Sequence, residues 1–235
     1  MLIQIEPMDT VRILKMNNGA ENKVTREFLA DYNTALDQVA ADAAAKAVVL
    51  TGAPEKFFCT GFDLPWLMTR PKEEWVPFFL GMDNLMRRIL IFEKPVVSAI
   101  NGHCFAGGLF IALCSDWRVM REDKGWICMP EIDLGIDLPP GTVALVSYVL
   151  GQRNADRIAI TGKRFSGKEA LGIGMVDELA APEALLGKAL EIAKYLGAKK
   201  PDIFAKHKLR LRGEVARIMA DEDPPFIRAT MGEKA

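Results

Sequence analysis

The stretch that decides the fold is PVVSAINGHCFAGGL, residues 95–109. Its first part, residues 95–100, is short, apolar and rich in β-branched side chains, which predicts a strand buried on both faces. A glycine-rich loop follows at residues 101–108, here called the second loop, and residues 109–113 have a helical pattern. A buried strand that leads through such a loop into a helix is the building unit of an α/β fold.

The sequence on either side predicts more elements of the same kind. Residues 47–52 predict another buried strand, and a helix from the N-cap Thr25 to about residue 45 precedes it. Residues 2–6 and 11–16 alternate around a turn and predict a hairpin. Further along we predict a helix over 75–92, a strand over 117–120 and helices over 143–150, 154–161, 168–171 and 182–196. We therefore expect a sheet-containing core over about residues 1–140 and a helix-rich remainder.

Composition limits the partners. The chain has 235 residues, 50% of them hydrophobic, with 30 Lys and Arg against 31 Asp and Glu. It is long enough to bury a sizeable core, and it lacks the concentrated positive charge that nucleic acids and anionic membranes attract. No apolar run spans a bilayer, and neither the first ten residues nor residues 231–235 carry a targeting signal. We expect a cytoplasmic protein with no nucleic-acid or membrane partner.

The inventory of reactive side chains is sparse. The cysteines form no CxxC pair, and the only histidines are His103 and His207, so a metal site is not expected. We predict free, buried thiols at Cys59, Cys104, Cys114 and Cys128. Dinucleotide, P-loop and nucleophile-elbow motifs are absent as well. We interpret His103 as a packing residue of the second loop.

Two loops are candidates for binding negative charge through their backbone. Gly107 and Gly108 stand before a helix, where N–H groups are unpaired. The first loop, residues 57–64 (FFCTGFDL), follows the strand at 47–52. If each loop offers one N–H group to the same point, the pair forms an oxyanion hole. The alternatives are a tight packing turn for the second loop, and for the first loop a hydrophobic turn in which Asp63 caps a helix.

A third segment supplies a candidate general base. Glu131 is flanked by apolar residues, and desolvation raises the pKa of a carboxyl group toward the range useful for proton transfer. A surface carboxylate or a helix cap is the alternative.

The charges are balanced along the chain except in one basic cluster. Its members are Lys199, Lys200, Lys206, Lys208, Arg210 and Arg212. We favour a solvated helix face for it over contact with a phosphate-bearing ligand.

Taken in order, five segments resemble the enoyl-CoA hydratase/isomerase (crotonase) superfamily. They are residues 57–64, residues 95–108, Ser115-Asp116, residues 130–135 and residues 171–177. The resemblance implies an α/β fold with a crotonase-like ββα spiral core over 1–180, and a helical C-terminal region over 181–235 that belongs to the same functional unit. It also implies homotrimers or dimers of trimers, an acyl-CoA thioester as substrate, a place in fatty acid β-oxidation, and no metal or separate cofactor.

The resemblance also assigns roles to residues. It places the oxyanion-hole N–H groups on Phe62 and Gly107 and the acid–base carboxyl on Glu131. Phe110 stands where hydratases carry a second catalytic glutamate, so the chain looks like an isomerase, which can move a double bond with one carboxyl group. Residues 61–64, 120–126 and 129–136 are similar to monofunctional Δ3,Δ2-enoyl-CoA isomerases. The remaining substrate-binding positions that it implies are Cys59, Thr60, Gly61, Asp63, Leu64, Gly108 and Phe110.

Several alternatives stay open. Another crotonase-type reaction, such as dienoyl-CoA isomerisation, decarboxylation or weak hydration, competes with the isomerase, as does a catalytically silent acyl-CoA-binding protein. Asp133 or Asp137 is a candidate second acid, although we favour structural capping for both. Pro65 replaces a lysine that many hydratases use near the CoA phosphates, which leaves that contact to other residues, among them the basic cluster. Apolar residues after the first loop are candidates for an acyl tunnel, with the core or a subunit interface as the alternative: Trp66, Met68, Trp75, Phe78 and Phe79.

Overall fold

The computed structural model describes residues 1–232. Its strands are β1 (Ile3–Met8), β2 (Val11–Met16), β3 (Ala47–Gly52), β4 (Phe57–Cys59), β5 (Val96–Ile100), β6 (His103–Phe105), β7 (Trp117–Arg121), β8 (Ile127–Cys128) and β9 (Glu178–Ala180). Its helices are α1 (Arg26–Ala41), α2 (Leu64–Met68), α3 (Trp75–Leu90), α4 (Gly107–Leu113), α5 (Glu131–Leu134), α6 (Pro140–Leu150), α7 (Gln152–Thr161), α8 (Gly167–Gly172), α9 (Leu185–Gly197), α10 (Pro201–Asp221) and α11 (Asp223–Thr230), with a 3₁₀ turn at Lys72–Glu74.

The strands form two sheets that alternate along the chain. Six strands make one sheet in the order β1-β2-β3-β5-β7-β9, in which β1 and β2 are antiparallel and the other pairs are parallel. The short strands β4, β6 and β8 make a second, parallel sheet. Each of β3, β5 and β7 is followed directly by a strand of the second sheet and then by a helix. This repeated ββα unit is the predicted spiral, and the predicted fold class is confirmed.

The central strands are apolar throughout because both faces of the large sheet are covered. Val48 and Leu50 of β3 belong to the main core, which α1, α3, α4 and α6 complete. Ala47 and Val49 point the other way and pack in a second core against α9. Successive strand residues face opposite sides, so a continuous apolar run satisfies both cores.

The C-terminal region is attached to this core through buried charges. Lys208 is 4% exposed, and its Nζ lies 2.7 Å from Oδ2 of Asp116. Arg212 pairs with the other oxygen of Asp116 at 3.0 Å and also donates to the carbonyl of Leu90. The solvated-face interpretation is therefore wrong for Lys208 and Arg212, and these two side chains are engaged inside the protein. Both join α10 to the start of β7.

Differences from the sequence predictions are local. The first and second loops contain β4 and β6, so the second sheet was not foreseen, and α4 begins at Gly107 instead of Leu109. Beyond residue 196, α10 and α11 were not predicted as separate helices. The boundary at residue 180 stays a prediction, and residues 233–235 of the predicted C-terminal region lie outside the described part. In residues 1–232 we find no helix with the length and apolarity that a membrane crossing requires.

Candidate active site

The two glycine-containing loops lie against each other at the ends of β4 and β6. A Cβ atom added to Gly61 would lie 2.8 Å from both the Cβ of Ala106 and the amide nitrogen of Gly107. One added to Gly108 would lie 2.2 Å from the carbonyl oxygen of Cys59. Glycine at these two positions allows a backbone approach that any larger residue would prevent. The loops that the sequence singled out therefore meet in space.

The backbone turns so that two amide groups are left unpaired where the loops meet. Gly61 has φ +82° and Ala106 has φ +51°, and these residues directly precede Phe62 and Gly107. The ladder with Val24 uses the carbonyl of Gly61 and the amide of Asp63 and skips Phe62. Within residues 1–232 neither the Phe62 nor the Gly107 amide donates to a protein acceptor. A positive φ at a non-glycine residue is strained, which is typical of a backbone held for function.

A cavity of about 460 Å³ opens in front of these loops. Its polar lining residues include Thr60, Asp83, Glu131, Asp137 and Thr142. Apolar side chains from the first loop, α2, α3, α4, α5 and α11, and from the segments that follow α5 and α11, also line it. They are Phe62, Leu64, Leu67, Met68, Trp75, Phe79, Met82, Met86, Phe110, Leu134, Ile136, Leu138, Phe226, Ile227 and Met231. A mostly apolar cavity with a few polar groups is typical of a small-molecule site.

Glu131 is a buried carboxyl group at this cavity. It is the first residue of the single-turn helix α5, which ends at Gly135 with a left-handed φ of +66°. The residue is 6% exposed, and its Oε2 has no hydrogen-bond partner in residues 1–232. Desolvation is the main cause that raises the pKa of Glu131 from 4.5 to about 7, while a hydrogen bond from its own backbone amide opposes the rise. Such a group exchanges protons readily near neutral pH.

The other acidic residues are placed differently. Asp133 is exposed and faces Gly162 at the end of α7, because two residues along a helix point to different sides. Asp137 lines the cavity from an exposed position. Asp83 also lines it, and burial, followed by the neighbouring carboxyl of Asp223, raises the pKa of Asp83 to about 8. A second carboxyl group at the cavity is therefore available from Asp137 or Asp83, but not from Asp133.

The remaining predicted site residues divide into two groups. Thr60, Leu64 and Phe110 line the cavity. Four others hold the loops in place, as the following contacts show. The Cys59 thiol donates to the carbonyl of Asn22 at 3.0 Å, Asp63 caps α2 by accepting from the Trp66 amide at 3.1 Å, and Gly61 and Gly108 allow the close approach described above. The predicted substrate contacts of all these residues stay predictions.

Some lining residues were missed by sequence reasoning. Helix α11 covers the cavity with Phe226 and Ile227, although Pro224-Pro225 looks like a helix breaker. Proline is tolerated in the first turn of a helix, which is where the pair lies, so the Asp-Pro-Pro sequence was an available signal for a helix start.

Among the apolar residues after the first loop, three line the cavity and two do not. Met68, Trp75 and Phe79 line it, whereas the rings of Trp66 and Phe78 contact each other at a tilt, with their centroids 5.5 Å apart. The ring of Phe62 is 5.1 Å from those of both Phe78 and Phe79, so the aromatic cluster also supports the first loop.

His103 and the thiols behave as expected. His103 packs between Phe57 and Phe105 and accepts a hydrogen bond from the Trp126 amide at 3.2 Å. The four cysteines are buried and free. Burial raises the pKa of the Cys59 thiol, which lies behind the first loop, to about 12. A thiol with so high a pKa is a poor nucleophile.

The ββα spiral, the two unpaired amides where the loops meet and the buried carboxyl group of the adjacent cavity are features that oxyanion binding and proton transfer require. The comparisons with known proteins identify the family. The profile of the enoyl-CoA hydratase/isomerase family matches residues 6–222, and the chain belongs to this enzyme family.

Individual relatives include both activities of the family. The peroxisomal enoyl-CoA delta isomerase 2 of Arabidopsis thaliana is 28% identical over 94% of this chain and 97% of its own length. A short-chain-enoyl-CoA hydratase of Clostridium acetobutylicum is 29% identical over 84% of this chain and 76% of its own. The crystal structure of human mitochondrial delta3-delta2-enoyl-CoA isomerase superposes with a TM-score of 0.94 at 26% identity, covering 99% of this chain and 91% of that chain.

Proposed function

We propose that the protein is an isomerase that shifts the double bond of a 3-enoyl-CoA to give the 2-enoyl-CoA. The observation that carries the proposal is the buried carboxyl of Glu131, whose Oε2 has no hydrogen-bond partner in residues 1–232, in the same cavity as Phe110. Hydration needs two groups, one to activate water and one to help deliver a proton, whereas a 1,3-proton shift needs only one base that then acts as the acid.

The mechanism uses the backbone for charge and Glu131 for the proton. The thioester oxygen of the substrate accepts hydrogen bonds from the Phe62 and Gly107 amides. Glu131 takes a proton from C2, the electrons of that bond form a dienolate whose charge rests on the oxygen, and the same carboxyl returns the proton to C4. Loss of one such amide donor typically slows a reaction by ~10²–10³-fold.

The pKa of Glu131 suits both halves of this cycle. A base with a pKa of about 7 is substantially ionised at neutral pH and is still acidic enough, once protonated, to return the proton. The apolar neighbours that raise this pKa also exclude water, which protects the dienolate from side reactions.

The proposal includes an acyl-CoA thioester as the substrate, no separate cofactor, and assembly as a homotrimer or a dimer of trimers. The basic cluster is now limited as a CoA contact to its exposed members Lys199, Lys200, Lys206 and Arg210, since Lys208 and Arg212 are held by Asp116. The cytoplasmic location stays a prediction.

The test is a pair of assays on the wild-type protein. Conversion of 3-hexenoyl-CoA is followed by the ultraviolet absorbance of the conjugated product, and hydration of 2-hexenoyl-CoA by the loss of that absorbance. We expect isomerisation to exceed hydration by at least 100-fold, as for removal of one acid–base group. Hydration at an equal or higher rate would reject the isomerase.

A second candidate, an enoyl-CoA hydratase or dienoyl-CoA isomerase, is favoured by one observation. Asp137 and Asp83 both line the cavity and offer a second carboxyl group. In that case Asp137→Asn or Asp83→Asn would abolish hydration or dienoyl-CoA isomerisation and leave 3-hexenoyl-CoA isomerisation in place.

A further inference from the structure

The first loop carries the Phe62 amide, yet the loop is irregular after β4 and needs an outside support. That support is the bracing segment, residues 18–24, which lies beside it. The amide of Thr60 donates to Glu21 O at 3.2 Å, the amide of Val24 donates to Gly61 O at 2.8 Å, and the amide of Asp63 donates to Val24 O at 3.1 Å. These bonds fix the loop on both sides of Phe62.

Asn22 is the centre of the bracing segment. It is fully buried and has φ +50°, a left-handed conformation that asparagine tolerates better than most residues. Its Oδ1 accepts from the amide of Asn18 at 2.8 Å, and its Nδ2 donates to the carbonyl of Phe58 at 2.9 Å. The backbone carbonyl of Asn22 accepts a hydrogen bond from the thiol of Cys59. One side chain thus joins the bracing segment to the start of the first loop.

Gly52 lies close to this carboxamide. A Cβ atom on Gly52, at the end of β3, would lie 3.0 Å from Nδ2 of Asn22. Asn22 does not line the cavity, so any effect on the reaction must pass through the loop. A buried polar group with all its partners satisfied rigidifies its environment, and loss of one partner leaves the other unpaired.

We propose that Asn22 is a positioning residue for the reaction: its carboxamide holds the first loop so that the Phe62 amide points at the substrate oxygen. This inference rests on the proposed function, because it assumes that the amide binds an oxyanion. Without the bond to Phe58 the loop relaxes, and the amide that stabilises developing charge is displaced while the cavity walls stay in place.

The test separates charge stabilisation from simple binding. Acetoacetyl-CoA forms an enolate with an ultraviolet absorption band that its keto form lacks, so the enolate fraction of the bound ligand reports how well the site holds an oxyanion. Butanoyl-CoA forms no enolate at neutral pH and reports ground-state binding. Both ligands are titrated into Glu131→Gln protein, with and without Asn22→Gly, so that the acid–base group does not affect the readout. Glycine keeps the positive φ and removes both side-chain bonds.

We expect Asn22→Gly to lower the enolate-to-keto ratio about 10- to 100-fold and to change the butanoyl-CoA dissociation constant by less than about threefold. Asn22→Asp, which keeps the acceptor and loses the donor, should act in the same direction and decides the matter if the glycine variant does not fold. The matched control is Asn18→Ala, which removes a bond to Lys23 O within the bracing segment and should leave the ratio unchanged.

The possible failures are distinguishable. An unchanged enolate ratio in both Asn22 variants overturns the positioning role, and so does an equal loss of affinity for the two ligands, which a merely structural residue would cause. If Glu131→Gln protein with Asn22 intact binds neither ligand, or binds acetoacetyl-CoA without its enolate, the proposed function itself is rejected. The role of Asn22 is then rejected with it.

Discussion

Replacing Glu131 by glutamine should remove the isomerase activity and, at the same time, stabilise the protein in alkaline solution. A buried carboxylate opposes folding, because its charge is desolvated. Glutamine is close to glutamate in shape and has no charge. The stability gain should therefore depend on pH in a way that the loss of activity does not.

The size of this gain in stability follows from the shift in the pKa of Glu131. Burial raises the pKa of the Glu131 carboxyl from 4.5, its ordinary value in an unfolded chain, to about 7 in the folded protein. At pH values between these two pKa values the folded state binds more protons than the unfolded state. The free energy of unfolding therefore falls as the pH rises through this range. A difference of about 2.5 in pKa corresponds to about 3 kcal/mol, and this cost is fully present above pH 7. The unpaired amide of glutamine offsets part of the gain, so we expect about 1–3 kcal/mol at pH 8.

The measurement is urea unfolding of the wild-type protein and Glu131→Gln at pH 5, 6, 7 and 8, beside 3-hexenoyl-CoA turnover. The difference in the free energy of unfolding should be near zero at pH 5 and grow toward pH 8, while turnover falls by ~10²–10⁴-fold throughout. A difference in the free energy of unfolding that is the same at all four pH values would refute the reasoning, since it would mean that Glu131 is not desolvated.

Three further predictions concern the pH dependence of turnover, the backbone strain at Ala106 and the buried ion pairs of Asp116. In wild-type protein kcat/KM for 3-hexenoyl-CoA should fall about tenfold per pH unit below about 7 and be level above it, because Glu131 must be ionised; a level profile from pH 5 to 8 would contradict this role. Ala106→Gly should raise the free energy of unfolding by about 1 kcal/mol in urea titrations, since glycine adopts φ +51° without strain; a loss of stability would exclude strain at this turn. Asp116→Ala should lower it by about 3–5 kcal/mol because Lys208 keeps an uncompensated buried charge, whereas Asp202→Ala, which removes an exposed pair, should change it by less than about 1 kcal/mol.

Features set by nearby residues could be predicted from the sequence. The apolar runs at 47–52 and 95–100 identify strands covered on both faces, and Thr25 caps α1 as expected by accepting from the Phe28 amide. The second sheet escaped prediction because β4, β6 and β8 contain only two or three residues each, too few to show a period. Their pairing depends on the long strands that deliver them.

The residues of the candidate site also divide into those that local sequence could identify and those that depend on distant partners. Gly61, Gly107 and Glu131 stand out locally: Gly61 precedes a phenylalanine, Gly107 begins a Gly-Gly pair before a helix, and Glu131 is a carboxyl among apolar neighbours. The inward direction of Lys208 depends on Asp116, which is 92 positions away, and no local pattern indicates such a partner. Helix α11 likewise reaches the cavity only because α10 carries it across the core. Long-range contacts of this kind are decided by packing and not by propensity.

The central claim is that one carboxyl group carries the proton from C2 to C4. Its most direct test is turnover of 3-hexenoyl-CoA that carries deuterium at both C2 positions, in ordinary water, with the product analysed by mass spectrometry and NMR. Because Glu131 is buried and its Oε2 has no hydrogen-bond partner in the described part of the chain, we predict that a measurable share of the product carries deuterium at C4. A product whose new C4 hydrogen comes from water alone, even at the earliest turnover, would contradict transfer by a single carboxyl group.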